Sequence, residues 1–396
     1  TDGFFNTAIG INALKNNTFG TNNTAIGKDV LINNTTGKDN ISVGVFTLTS
    51  NTTGSDNVAF GSDALSANTT GGGNTAFGTA ALSSAHTFSN NTAIGFNALA
   101  AHVTGGNNTA IGSGALKSNL RSFANTATGA NTLSLNTTGD SNSAFGSDAL
   151  KNNTDGSANN AFGTEALLTN TTGASNAAFG FSSLNKNTTG SNNSAFGNTT
   201  LSANTTGNIN SAFGSEALQT NTTGSSNAAF GSKSLNKNTV GNNNTAVGDS
   251  TMFANTTGSF NTALGKAALS LNTTGSSNVA IGRTALLTNT TGSNNTAIGN
   301  GANVSSGALS NATALGFGAT ANASNKVRIG GSTVTVIEGQ VAYTFPSDAR
   351  FKNEIKDNVP GLDFITKLKP VTYKFDTKKF DFPKPLIFSD KASSEI

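Results

Sequence analysis

The chain has 396 residues, only 11% of them charged, with 46 glycines, no Cys, no Trp and a formal net charge of +3. The lack of Cys excludes disulfides, thiolate metal sites and thiol nucleophiles, and so small and scattered a charge does not suit a nucleic-acid partner. No run of about 18 apolar residues exists, so no membrane insertion is expected.

The opening residues "TDGFFNTAIG" lack the basic start and apolar block of a signal peptide. They already lie inside a repeat, so a segment preceding residue 1, or processed away from it, is expected. Aligned on the Gly of A-[I/F]-G, the repeat recurs every 17 residues from Gly10 and Gly27 to Gly316, in 19 copies without an insertion. The unit is N-x-x-[I/F]-G-x-x-A-L-x-x-N-T-T-G-x-x. The residue before the Gly is Phe in 8 copies, Ile in 6, Val or Leu in 4, and Thr once, at Thr128. Four residues after the Gly comes Leu, from Leu14 to Leu286, with Met252 the one substitute. Asn stands four before the Gly in 18 of the 19 copies, and a second Asn column, Asn17, Asn34, Asn51 and onward, is broken by Ala85 and His102.

Helical repeats need longer units than this. Seventeen residues with two glycines fit one coil of a β-solenoid, with one strand over N-T-A-I-G, another over roughly A-L-x-x-N, and two turns. Side chains alternate across a strand. The Phe/Ile column (Ile9, Phe60) and the Leu column (Leu14, Leu65) are therefore expected to stack inside as two apolar ladders. The Ala column (Ala8, Ala25, Ala59, Ala76) is then expected to face outward. The two Gly columns, including Gly10 and Gly27, are assigned to turns with positive φ. The Asn columns, with Asn6, Asn23 and Asn40 at the head of one, are expected to form amide ladders. All five prolines lie at Pro346 or later, which suits unbroken backbone ladders before that point.

Two large apolar side chains per coil are little to set against the conformational entropy of seventeen ordered residues. A flat outward Ala face would let identical rods approach closely, so the expected partners are two further copies of the chain, forming a homotrimer. The repeated A-[I/F]-G-x-x-A-L resembles the head repeats of trimeric autotransporter adhesins over about residues 4–330. That resemblance implies a left-handed β-roll that trimerises, although the 17-residue period is longer than the usual unit of that family.

Composition shifts after residue 320. Residues 1–320 read as the solenoid shaft, and 321–346, "NKVRIGGSTVTVIEGQVAYTF" at their centre, as a β-rich neck. Residues 347–396 hold 18 of the 43 charged residues; within them 361–368 reads as a short helix and 371–375 as a strand. Ser347-Asp348-x-Arg350-x-Lys352, followed by "LKPVTYKF" from Leu368 to Phe375, resembles the start of the intramolecular chaperone domain of endosialidase and other phage tail fibres. The resemblance implies that 347–396 is the N-terminal part of a short α+β domain that trimerises the fibre and then cuts itself off. The scissile bond would be Pro346–Ser347, with Ser347 Oγ as nucleophile, Lys352 as general base, and Asp348 and Arg350 as motif residues. A Ser hydroxyl needs a neighbour to take its proton, and Lys serves only where desolvation or nearby cations lower its pKa.

Together these readings give an all-β fold: a β-solenoid or β-roll of 17-residue coils in a homotrimeric fibre, with a short α+β chaperone segment at its end. The expected role is an extracellular fibre of a phage tail or bacterial surface that binds a cell-surface receptor or glycan. No cofactor, metal or turnover enzyme is expected, only a single autoproteolytic event. Register is weakly specified between like coils; a non-repetitive C-terminal clamp would set it, helped by loop swaps at Ser83–Ser89 and Asn119–Asn125.

Two other functions stay open. Thr35, Thr36, Thr52 and Thr53 begin paired columns that could bind ice, or be plain turn residues. A fibre-borne glycan depolymerase would need paired carboxylates, and only 12 Asp and Glu, scattered over different columns, precede Ser347. The N-T-T sequon at Asn34 reads more simply as a ladder residue than a glycan site. His86 and His102 read as solvent-exposed variation rather than a metal site.

Overall fold

The computed structural model describes residues 3–340, and these contain β-strands and turns but no helix. Residues 347–396, with Ser347, Asp348, Arg350 and Lys352, lie outside the described residues. The repeats wind into one parallel β-solenoid within a compact unit, Thr1–Gly330. One strand per coil joins a single 20-stranded sheet, and a second, two-stranded sheet is formed by Asn303–Val304 and Thr320–Ala321. Pairing along the sheet is parallel with a 17-residue offset, as in Thr24↔Ile41 and Phe162↔Phe179. The last pairing, Thr313↔Val327, is offset by 14, so the final coil is shorter and the first residues of the expected neck belong to the solenoid sheet.

The strand is short because Gly ends it. Ser194–Phe196 and Thr92–Ile94 are typical three-residue examples. The following Gly turns the chain at φ near +130°, for instance Gly27 at +132° and Gly197 at +138°. At Gly27 a Cβ would also run into the carbonyl of Gly44 in the next coil, so both conformation and space require glycine. The second Gly column differs from expectation. Gly37 and Gly54 are not at positive φ; they are glycine because a Cβ would meet the carbonyl of the Gly one coil on.

A second strand forms at the A-L-x-x-N position only in the last two repeats, as Asn303–Val304 and Thr320–Ala321; in the earlier coils a bend takes its place. Two left-handed residues bend the chain there: Asp63 at φ 59° and Leu65 at φ 51° in one coil, Asn12 and Leu14 in another. Asn and Asp tolerate that region. A Leu does not, and each costs on the order of 1–3 kcal/mol. The Leu side chains are fully buried from Leu31 onward, and Leu65 N–H donates to Ala81 O at 3.0 Å in the next coil; these gains offset the cost. Turn stacks on turn, as strand does on strand.

The expected orientation of the strand is reversed. From the second coil on the Ala column faces inward and is fully buried, as at Ala25, Ala59 and Ala195, whereas Ile94 is 39% exposed and Phe60 is half-buried on the outer face; in the end coil both Ala8 and Ile9 are exposed. The coil is too thin for the alternative. Ser183 Oγ, on the A-L side of the coil, reaches the strand side at Ala195 O in the next coil, at 3.2 Å. Walls that close leave room for a methyl group and not for a phenyl ring. The inner apolar columns are therefore Leu and Ala.

Candidate association surface

The interior holds the coils in line. Asn40 donates through its backbone N–H and its Nδ2 to Asn23 Oδ1, at 3.1 and 3.0 Å, and Asn57 repeats both bonds to Asn40. The second column does the same, with Asn34 Nδ2 to Asn17 Oδ1 and Asn51 Nδ2 to Asn34 Oδ1, each at 2.8 Å. The two ladders meet at one acceptor per coil: Gly54 O takes Asn40 Nδ2 and Asn51 Nδ2, both at 2.9 Å. Buried amides are thus satisfied by their own copies, the expected amide ladder in detail. Asn34 is fully buried, so the folded coil leaves its amide no access to a glycan.

On the outside, Thr35 Oγ1 donates to Thr52 O at 3.0 Å and Thr52 Oγ1 to Thr69 O at 3.0 Å. The first Thr column is therefore tied to the backbone of the next coil rather than free to order water. Asp155 replaces a Thr in the second column. Its carboxyl is held below the usual range, chiefly by Thr138 Oγ1 donating at 2.6 Å. The ion pairs, such as Lys151–Asp148 at 3.1 Å, lie at the surface, where such pairs contribute little. Among the described residues no cluster of His, Asp or Glu could hold a metal ion, and no helix is long and apolar enough to cross a membrane.

The unusual outer feature is the column before the Gly. From Phe145 to Phe230 six rings stack face to face, with centroids 4.6–4.9 Å apart. That distance is the strand spacing of a β-sheet. Phe77, Phe145 and Phe230 remain 37–40% exposed, and Ile94, Ile298 and Leu264 are exposed in the same column. A Phe side chain offers about 150–250 Å². Over the length of the solenoid the column therefore leaves on the order of 1,000 Å² of apolar surface uncovered, more than the ~300–600 Å² patch usual on a monomer. The outward Ala face expected from sequence does not exist; a Phe/Ile stripe takes its place.

One stretch breaks the second ladder, while the first runs on beside it, with Asn91 donating to Asn74 Oδ1 and Asn108 to Asn91 Oδ1. Ala85 cannot donate to Asn68, whose Oδ1 is buried without a partner. One coil later His102 takes the Asn position. It is fully buried, with Nε2 2.9 Å from Gly105 O, Nδ1 2.9 Å from Asn119 Nδ2, and its ring edge-on to Phe88. The expectation of a solvent-exposed His102 is thus overturned: the column it occupies points inward. Its place in the Asn register was the signal. His86, in the Thr column, is exposed as expected.

Of the residues singled out from sequence, the structure brings Asn6, Asn23 and Asn40 into one ladder and places Leu14 and Leu65 inside. Gly10 follows its strand and Gly27 lies one residue before the end of Thr24–Lys28, both at positive φ, and Ile9 and Phe60 lie on the outer stripe. No family model matches the chain, and no curated protein matches it.

Proposed function

We propose that this chain is the shaft of an extracellular homotrimeric fibre, from a phage tail or bacterial surface, used for adhesion or receptor binding. The observation that carries this reading is the uncovered Phe/Ile stripe running along the whole solenoid. Apolar area of that extent exceeds the ~800 Å² per partner of a standard interface. A partner that covers it must be as long as the rod and repeat at the same spacing, which suits further copies of the chain. The polar, stacked coils then supply length, and the surfaces away from the stripe are left for a cell-surface receptor or glycan.

The C-terminal motif Ser347-Asp348-x-Arg350-x-Lys352 fits a fibre that is trimerised by a chaperone segment and then released at Pro346–Ser347. Ice binding is less well supported, because the first Thr column spends its hydroxyls on the backbone. Multi-angle light scattering of the full chain tests the assembly: three times the chain mass is expected, and a monomer at micromolar concentration would reject the reading.

A further inference from the structure

We infer that the outer stripe binds further copies of this chain in parallel and in register, and that Thr128 is the residue that sets the register. This rests on the self-association proposed above and adds to it where along the stripe the copies align.

Adjacent coils are alike inside the solenoid, so the interior cannot distinguish one alignment of two rods from another. The outer column can. Ile94 and Ile111 precede Thr128, and an unbroken run of Phe begins at Phe145. Thr128 is half-buried on the same outward face, in line with Ile111 on one side and Phe145 on the other. It is the one polar residue in the column.

When copies align in register, the Thr128 hydroxyls face each other and can donate and accept among themselves. A slip of one coil sets each hydroxyl against Ile111 or Phe145, which offer no side-chain acceptor, and a buried hydroxyl without a partner is costly. A single polar residue in an apolar seam specifies register in coiled coils by the same physics.

Direction follows from the position of the notch. Seven coils precede that of Thr128 and eleven follow it. Antiparallel copies matched at Thr128 would leave four coils of each rod with an uncovered stripe, and would lay four of the six rings from Phe145 to Phe230 against Ile111, Ile94, Val43 and Ile26. Parallel copies matched at Thr128 cover every coil and stack like on like.

The chain has no Cys, so single thiols report alignment cleanly. Thr126 and Ser143 sit on the outer face beside the stripe, 17 residues apart and directly paired in the sheet. Full chains carrying Thr126→Cys and Ser143→Cys, distinguished by isotope label, are refolded together, treated with a short thiol cross-linker and read by mass spectrometry. Links between like positions are expected to dominate, and mixed 126–143 links to be at least ten-fold rarer. Adding Thr128→Phe, which restores the common residue of the column, is expected to raise the mixed links at least ten-fold; Thr128→Ser is expected to leave them rare. Oligomers in which mixed links are already abundant, or are unmoved by Thr128→Phe, overturn the assignment of register to Thr128 while leaving self-association standing. A chain that stays monomeric by light scattering overturns both.

Discussion

Asn119 Nδ2 donates to His102 Nδ1 at 2.9 Å. The direction is set from above, because Asn119 Oδ1 already accepts from Asn136 Nδ2 at 2.9 Å and from Ser122 Oγ. His102 must therefore be neutral, with its proton on Nε2 facing Gly105 O. A second proton on Nδ1 would confront the Asn119 amide donor. Burial also holds the imidazole below its ordinary value of 6.5.

Acid should thus loosen this part of the solenoid. The folded pKa is depressed, so the stabilising contribution of neutral His102 is complete above pH ~6.5. It declines as pH falls below that value, by at most about 1.4 kcal/mol per pH unit. The ionisable side chains flanking its column in the neighbouring coils, His86, Lys117 and Arg121, are exposed and screened by water. Denaturant melts at pH 7.5 and pH 5 should show this slope in the parent chain. His102→Asn, which continues the amide ladder, should flatten it; equal slopes in both proteins would refute the role of His102.

Ala85→Asn should stabilise. It returns a donor to the buried Asn68 Oδ1, which now has none, and a restored hydrogen bond contributes about 1 kcal/mol. The midpoint of chemical denaturation should rise with an unchanged slope. In the opposite sense, Asn187→Ala in the middle of the rod removes bonds to Asn170 Oδ1 and Gly190 O and leaves Asn204 Nδ2 with Gly207 O as its remaining acceptor. A loss of about 1–3 kcal/mol is expected.

The two faces of the strand should answer differently to substitution. Phe196→Ser trims the outer stripe and should weaken association while leaving the β-rich circular dichroism unchanged. Ala195→Phe, one residue away, forces a ring into the space spanned by the Ser183–Ala195 bond. It should cost at least the 1–3 kcal/mol of an overpacked core and broaden or lower the melt. Finding the reverse order would mean that the strand faces are assigned wrongly.

Self-cleavage is tested by the mass of the chain. Ser347→Ala and Lys352→Ala should each leave the Pro346–Ser347 bond intact in intact-mass spectra, whereas the parent is expected to release a fragment beginning at Ser347. Unaltered processing in either variant would remove that residue from the proposed pair.

Period and chemistry were legible in the residues themselves. A 17-residue repeat with Asn at two constant positions implies stacked coils and amide ladders, because an amide bonds well to a copy of itself one strand spacing away. Asn40 over Asn23 and Asn51 over Asn34 are what that pattern demands. Sequence could not say which of Ala297 and Ile298 looks inward. Alternation along a strand puts neighbours on opposite faces but does not say which face is the core. The larger side chain was the natural candidate for the interior, and only the tertiary structure shows the opposite walls approaching within a hydrogen bond of each other, leaving space for Ala alone. The left-handed Leu14 and Leu65 were equally invisible, since no local preference of Leu favours φ near +50°; burial and the bond to the next coil impose it. Repetition by itself determined that the chain would stack on its own copy. The width of the coil, a property of all its turns together, decided that its Phe and Ile would be left on the surface.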